Sequence, residues 1–297
     1  MPAPEEESEL EQTRMSLGDH LEELRSRLVK GLLAVAVAFA VGWFFQEQIQ
    51  SVVLAPLNRA LEGLRAAHLA EAQDYVTENP DDWGRYFDSA DPTTRELLRD
   101  IDTRPMATGV AEGVFFTIRI VFYFALFLGA PMLLWQMWQF VAAGLYKKER
   151  KVVVGYFPYS VGLFLTGVAF GYFVLVPFAM QYLIGFVDIE MVRPEIKLSE
   201  YFTMLFALSL AIGGVFQLPL IMVVCVRMGV LEPATFSKWR GYFVLGAFIF
   251  SAMLTPPDPF TQLMMAVPTI LLYEIGIIAS RFVKKRSNET SLEVEPA

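Results

Sequence analysis

Long uncharged runs alternate with short charged blocks along this chain, and no polar face recurs inside the runs. The charge-free stretches are 31–46, 120–146, 152–187, 201–226, 241–257 and 259–273. Each would be apolar on every side of a helix, which suits lipid rather than the surface of a soluble domain. A closed barrel would need segments of about ten residues with alternating polarity, and these runs lack that alternation. In lipid each backbone N–H and C=O must be satisfied, and a helix does so within the segment. The pattern therefore predicts an all-α polytopic membrane protein with six transmembrane helices.

The runs differ in length, and the differences carry expectations. The 36 uncharged residues of 152–187 would make about 54 Å of continuous helix against roughly 30 Å of hydrocarbon. Tilting or bending is expected, with Pro158 and Pro177 as the bending points. The last two helices, 241–255 and 259–272, are expected to be short, about 21 Å each. A pair that short thins the bilayer or stands beside a water-filled recess.

Outside the runs, residues 1–15 read as a disordered acidic tail, 16–282 as the membrane domain, and 283–297 as a second tail. Ser16 and Asp19 resemble a helix start, and Leu17, Leu21, Leu24 and Leu28 fall on one face. An amphipathic helix on the membrane surface is expected there, turning into the first span. The first apolar run lacks the short core and small-residue cleavage site of a signal peptide, so the N-terminus is expected to be retained. The loop 48–112 is acidic, with helical spacing at 56–72 and 93–101 around a turn-rich stretch at 79–92. A small helical cap is expected from its extended part, 58–105.

Charge adds direction. Lys and Arg number four in 1–30, four in 145–151, three in 227–240 and four in 281–286, against six in 48–112, two in 188–199 and none in 255–260. That bias predicts both termini on the cytoplasmic side of a cytoplasmic-type membrane. The composition, 55% hydrophobic with 14% aromatics, agrees with the membrane class. The net charge of −8 comes from acids pooled in the tails and the first loop, with no basic footprint for nucleic acid. The single cysteine, Cys225, lies within a span and reads as a packing residue.

Two glutamates stand out on the basic side: Glu23 in HLEELRSRL (20–28) and Glu149 in LYKKERK (145–151). A carboxylate at a membrane border in a positive setting can dock a cationic ligand. It can equally pair within its own helix, as Glu23 can with Arg27 at i,i+4, or stay solvated, as Glu149 can. Gln217 sits deep in the fourth run, where an amide needs a partner; interhelical hydrogen bonding and contact with a ligand or partner helix are both open. Asp258 before Pro259 reads as an N-cap, with Gln262 one turn on sharing its network. Glu274 is expected to pair with Arg281 or reach the interface, and Arg119 to snorkel outward.

Catalytic and nucleotide chemistry find no support. His20 begins HLEE rather than HExxH, Asp258 lies at a turn with no facing acid, and GxxxxGK[ST] is absent, so neither an enzyme nor a cofactor is expected. A small-solute secondary transporter is the competing class. It would carry internal repeats and charges near the midplane, and neither is found.

Taken in order, HLEELRSRL (20–28), APL (55–57), PMLLWQMWQFVAAGLYKKERK (131–151), VFQLP (215–219), GAFIFSAMLTPPDPFTQ (246–262) and YEIG (273–276) resemble the TatC family, the core membrane component of the twin-arginine protein translocase. The resemblance implies a concave six-helix bundle that receives twin-arginine signal peptides of folded precursors. It also implies assembly with TatA-type and TatB-type single-span subunits and with further copies of itself, and transport driven by the proton-motive force. On the family pattern Glu23 and Glu149 fall on signal-recognition positions, with Arg25, Arg27, Phe140 and Leu145 around them. Gln217 falls where relatives carry Glu or Gln facing the concave interior, and the positions of Asp258 and Gln262 are sensitive ones. An arginine fork accepted bidentately by a carboxylate would explain selectivity over lysine. Ala143 and Val114 depart from the usual proline and phenylalanine, and the outer loop is longer than the family norm.

Overall fold

In the computed structural model, residues 17–78, 112–143, 150, 153–185 and 197–292 are described. Ten α-helices and one π-helical turn occur among them: α1 Leu17–Phe44, α2 Gln46–Glu78, α3 Glu112–Ala143, α4 Phe157–Phe170, the π turn Gly171–Leu175, α5 Val176–Gly185, α6 Leu198–Val215, α7 Leu218–Arg227, α8 Pro233–Lys238, α9 Arg240–Leu254 and α10 Pro259–Leu292. Among the described residues five stretches are long and apolar enough to cross a membrane: Leu21–Phe44, Gly113–Ala143, Phe157–Leu183, Ser199–Arg227 and Pro259–Val283. The shorter apolar helix Arg240–Leu254 accompanies them. Large apolar side chains such as Leu32, Leu33, Val37, Phe173, Leu245 and Leu271 point outward, a surface that lipid solvates and water would not.

The first helix differs from expectation. No surface helix turns into a first span; α1 runs unbroken from Leu17 to Phe44. Nothing in 17–44 interrupts a helix, and Gly31, the one weak former near the expected bend, is used for packing. A Cβ on Gly31 would stand 2.9 Å from Leu133 Cδ2, and one on Gly129 would meet Val35 Cα at 3.4 Å. α1 and α3 thus approach closely at two successive turns, in antiparallel register. The chain then turns at Phe45, whose N–H bonds the Gly42 carbonyl, and α2 begins at once.

Prolines within helices release carbonyls that other helices use. Pro56 has no N–H to offer the carbonyl of Val52, four residues back. Tyr172 from the π turn donates its hydroxyl to that oxygen, and Tyr201 of α6 donates to the neighbouring Val53 carbonyl at 2.8 Å. Leu57, fully buried beside them, joins Val176, Phe202, Leu205 and Met265 in the largest apolar core.

The third span is interrupted near both expected prolines. Ahead of Pro158 the chain turns at Gly155–Tyr156, between the helical residues 153–154 and α4, and Pro158 itself lies in the first turn of α4, where a missing N–H is harmless. A second distortion falls at Gly171–Leu175, just ahead of Pro177, whose ring and absent N–H disturb the preceding turn. The fourth span is broken at Phe216–Gln217, because Pro219 cannot bond the Val215 carbonyl and the chain restarts as α7.

The last two helices are not both short. α9 has 15 residues, but α10 has 34 and continues past Glu274 through the boundary expected at 282. Glu274 ends the charge-free run without ending the helix, since its carboxylate is paired with Arg240 rather than with Arg281. Arg281 donates to Ser237 Oγ. Gly276 lets α10 seat on α7, where a Cβ would stand 3.1 Å from Pro219 Cα.

Candidate functional site

The α1–α3 pairing brings the first candidate carboxylate against a helix distant in sequence. Glu23 Oε1 receives two hydrogen bonds from Arg27, from Nε at 3.2 Å and from Nη2 at 2.6 Å. The two side chains are 21% and 17% exposed, so the pair is screened from water on most sides yet still reachable. The remaining Arg27 nitrogen, Nη1, reaches Gln136 Oε1 of α3 at 3.5 Å. The register set by Gly31–Leu133 and Val35–Gly129 places Gln136 there: one turn up α3 and one turn back along α1, the helices meet at Arg27 and Gln136.

Phe140 is half-buried and lies at i,i+4 from Gln136, on the same face of α3. Arg25 points away, 3.8 Å from Glu22, with both side chains more than three-quarters exposed. Glu149 and Leu145 lie outside the described residues. Their chain neighbour Arg150 holds Gln139 Oε1 at 3.5 Å, next to Phe140. Gln136 was not among the residues singled out from sequence; the signal for it was an amide within the charge-free run 120–146, of the kind that marked Gln217.

Chemically, the cluster is a carboxylate whose Oε1 already takes two donors of one guanidinium, near the start of the first long apolar stretch. An arriving guanidinium could replace Arg27 with the same geometry, which an ammonium could not.

A family model described as Sec-independent protein translocase protein (TatC) matches residues 19–268. This chain belongs to the TatC family. Similar TatC proteins include that of Desulforapulum autotrophicum, 32% identical over 94% of this chain and 89% of its own length. The TatC of Escherichia coli K12 is 34% identical, covering 89% of this chain and 87% of that one. Among solved structures, one described as a crystal structure of the twin-arginine translocase receptor TatC superposes with a TM-score of 0.69 at 24% identity, over 89% of this chain and 99% of that one, and shows the fold. TatC membership places the chain among components of a protein translocase rather than among enzymes or solute transporters.

Within this TatC fold the other polar candidates have defined partners. Gln217 is 4% exposed and reciprocally bonded to one residue of α4: Ser160 Oγ donates to Gln217 Oε1 at 2.6 Å, and Gln217 Nε2 donates to the Ser160 carbonyl at 2.9 Å. Asp258 caps α10, its Oδ1 accepting the Thr261 N–H at 2.7 Å and its Oδ2 the Thr261 hydroxyl. Gln262 does not join that network. Its Nε2 donates at 3.1 Å to the Phe248 carbonyl of α9, and so ties the two helices together across their turn. Arg119 is exposed on α3. Beside α9 an open apolar cleft of about 900 Å³ is lined by Leu210, Gly214, Leu218, Trp239, Phe243 and Phe250, among others.

Proposed function

We propose that this chain is the twin-arginine signal-peptide receptor and assembly platform of a translocase that exports folded proteins. The observation that carries the reading is the half-buried Glu23 carboxylate held by an exchangeable guanidinium. Family membership supports it, as does the description of the superposed structure as a receptor. Glu149 is proposed as the second carboxylate, with Arg25, Phe140 and Leu145 completing the surface. TatA-type and TatB-type subunits are proposed to gather against the helices that carry Gln217, Asp258 and Gln262, and the proton-motive force to drive passage. In the membrane, α9 is proposed as the fifth of six spans of a concave bundle, with both termini cytoplasmic.

The test is equilibrium binding of a twin-arginine signal peptide and its twin-lysine counterpart to the complete chain in nanodiscs. The arginine peptide is expected to bind at least about tenfold more tightly, as a charge-assisted fork exceeds a single ammonium contact. Glu23→Gln or Glu149→Gln is expected to remove that preference. Equal, weak binding of both peptides to wild type and both variants would overturn the receptor assignment.

A further inference from the structure

Gln136 is a buried amide with poor partners. It is only 7% exposed, yet among the described residues its oxygen meets Arg27 at 3.5 Å, the outer limit of a hydrogen bond, and its Nε2 reaches only the Met132 sulfur at 3.8 Å. An amide offers two donors and an acceptor, and buried polar groups in folded proteins are nearly always well matched. The Arg27 guanidinium beside it is unevenly shared. Nε and Nη2 both serve Glu23, and only Nη1 turns to Gln136. One guanidinium therefore stands between two acceptor oxygens, Glu23 Oε1 taking two of its donors and Gln136 Oε1 one long contact, and the glycine contacts of α1 with α3 fix the spacing of the two backbones. Arg27 can change partner by side-chain rotation alone.

We propose that Arg27 keeps Glu23 self-occupied, and that Gln136 receives the Arg27 guanidinium when the guanidinium of an incoming ligand takes Glu23. The proposal rests on the receptor reading and adds a gate to it. During exchange the carboxylate goes from one fork to another, and the displaced Arg27 moves from a strong acceptor to a waiting neutral one. An arginine ligand replaces what Glu23 gives up. A lysine ligand must break the fork and return a point contact, so the internal competitor itself rejects it. Binding is also held reversible, as a receptor that must hand its ligand on requires.

The experiment uses the complete chain in nanodiscs with the same two peptides and four variants: Gln136→Met, Gln136→Glu, Arg27→Gln, and Arg27→Gln with Gln136→Met. Gln136→Met keeps side-chain length without an acceptor and is expected to weaken the arginine peptide about tenfold. Gln136→Glu draws Arg27 off Glu23 and is expected to tighten it, a direction that general damage to the fold cannot imitate. Arg27→Gln removes the competitor and is expected to bind the arginine peptide about threefold more tightly, the scale of a partly exposed ion pair, with a smaller margin over lysine. In the Arg27→Gln background, Gln136→Met is expected to change nothing.

A Gln136→Met loss that persists undiminished without Arg27, a weaker Gln136→Glu, or an Arg27→Gln variant that loses binding would each overturn the gate while wild-type discrimination upholds the receptor. Wild type that fails to discriminate would overturn the receptor reading and the gate with it.

Discussion

Gln217 meets the demands of its amide at a single residue, Ser160, through one bond given and one received. Such pairs inside membrane proteins are worth about 0.6 kcal/mol on average and up to about 1.7. We expect Gln217→Met and Ser160→Ala each to lower stability by about 1 kcal/mol, and the double variant to lose less than both together, measured by unfolding in detergent. Strict additivity would mean that the two side chains do not depend on each other. Asp258 is a cap of the ordinary kind, and Asp258→Ala is expected to cost about 1 kcal/mol. Asp258→Asn should retain most of that stability, because an amide oxygen can still accept the Thr261 N–H. The contrast separates capping from any need for charge at this turn, when stability and transport are measured side by side.

Helix α4 and the π turn that follows it touch α6 backbone to backbone along a seam of small residues. A Cβ on Gly167 would lie 2.9 Å from Gly213 Cα, and one on Gly171 would lie 2.7 Å from Ser209 Cα. Gly171→Ala should therefore destabilise by about 1–3 kcal/mol through overpacking. Gly162→Ala, with open space around it, should be neutral or slightly stabilising; equal thermal shifts for the two would sink the seam argument. The long apolar runs of these helices were readable from sequence because lipid demands apolarity on every side, which leaves a signal that survives without neighbours. The break at Phe216–Gln217 was not, and near Pro177 a bend was readable but its form as a π turn at 171–175 was not, since each depends on where the carbonyls released by Pro219 and Pro177 find room. The true length of α10 was hidden for a related reason. A lone Glu274 looks like an end until Arg240, 34 residues away, is seen to hold it. At the candidate site Glu23 and its alternative partner Arg27 were both visible at i,i+4 spacing, but Gln136 lies 109 residues from Arg27, beyond any local pattern.

Beside the five long apolar stretches of the described residues, α9 is the short one. Its 15 residues make about 23 Å of helix, several ångströms less than an undisturbed hydrocarbon layer. Spin labels along 240–254 are expected to report a dry zone narrower than that flanking Gly113–Ala143, and a full-thickness dry profile would rule out local thinning. Among the described residues, the buried polar side chains are glutamines, serines and threonines, none of which ionises in the physiological range. An elementary charge moved through 100 mV exchanges about 2.3 kcal/mol with the field. With no such charge in its described interior, that part of the protein is electrically mute: rearranging it transfers almost no gating charge. Any voltage sensitivity of transport then enters outside that interior: with charges at its edge such as Glu23 and Arg27, with the rest of the chain, with the passenger, or with the subunits that join it.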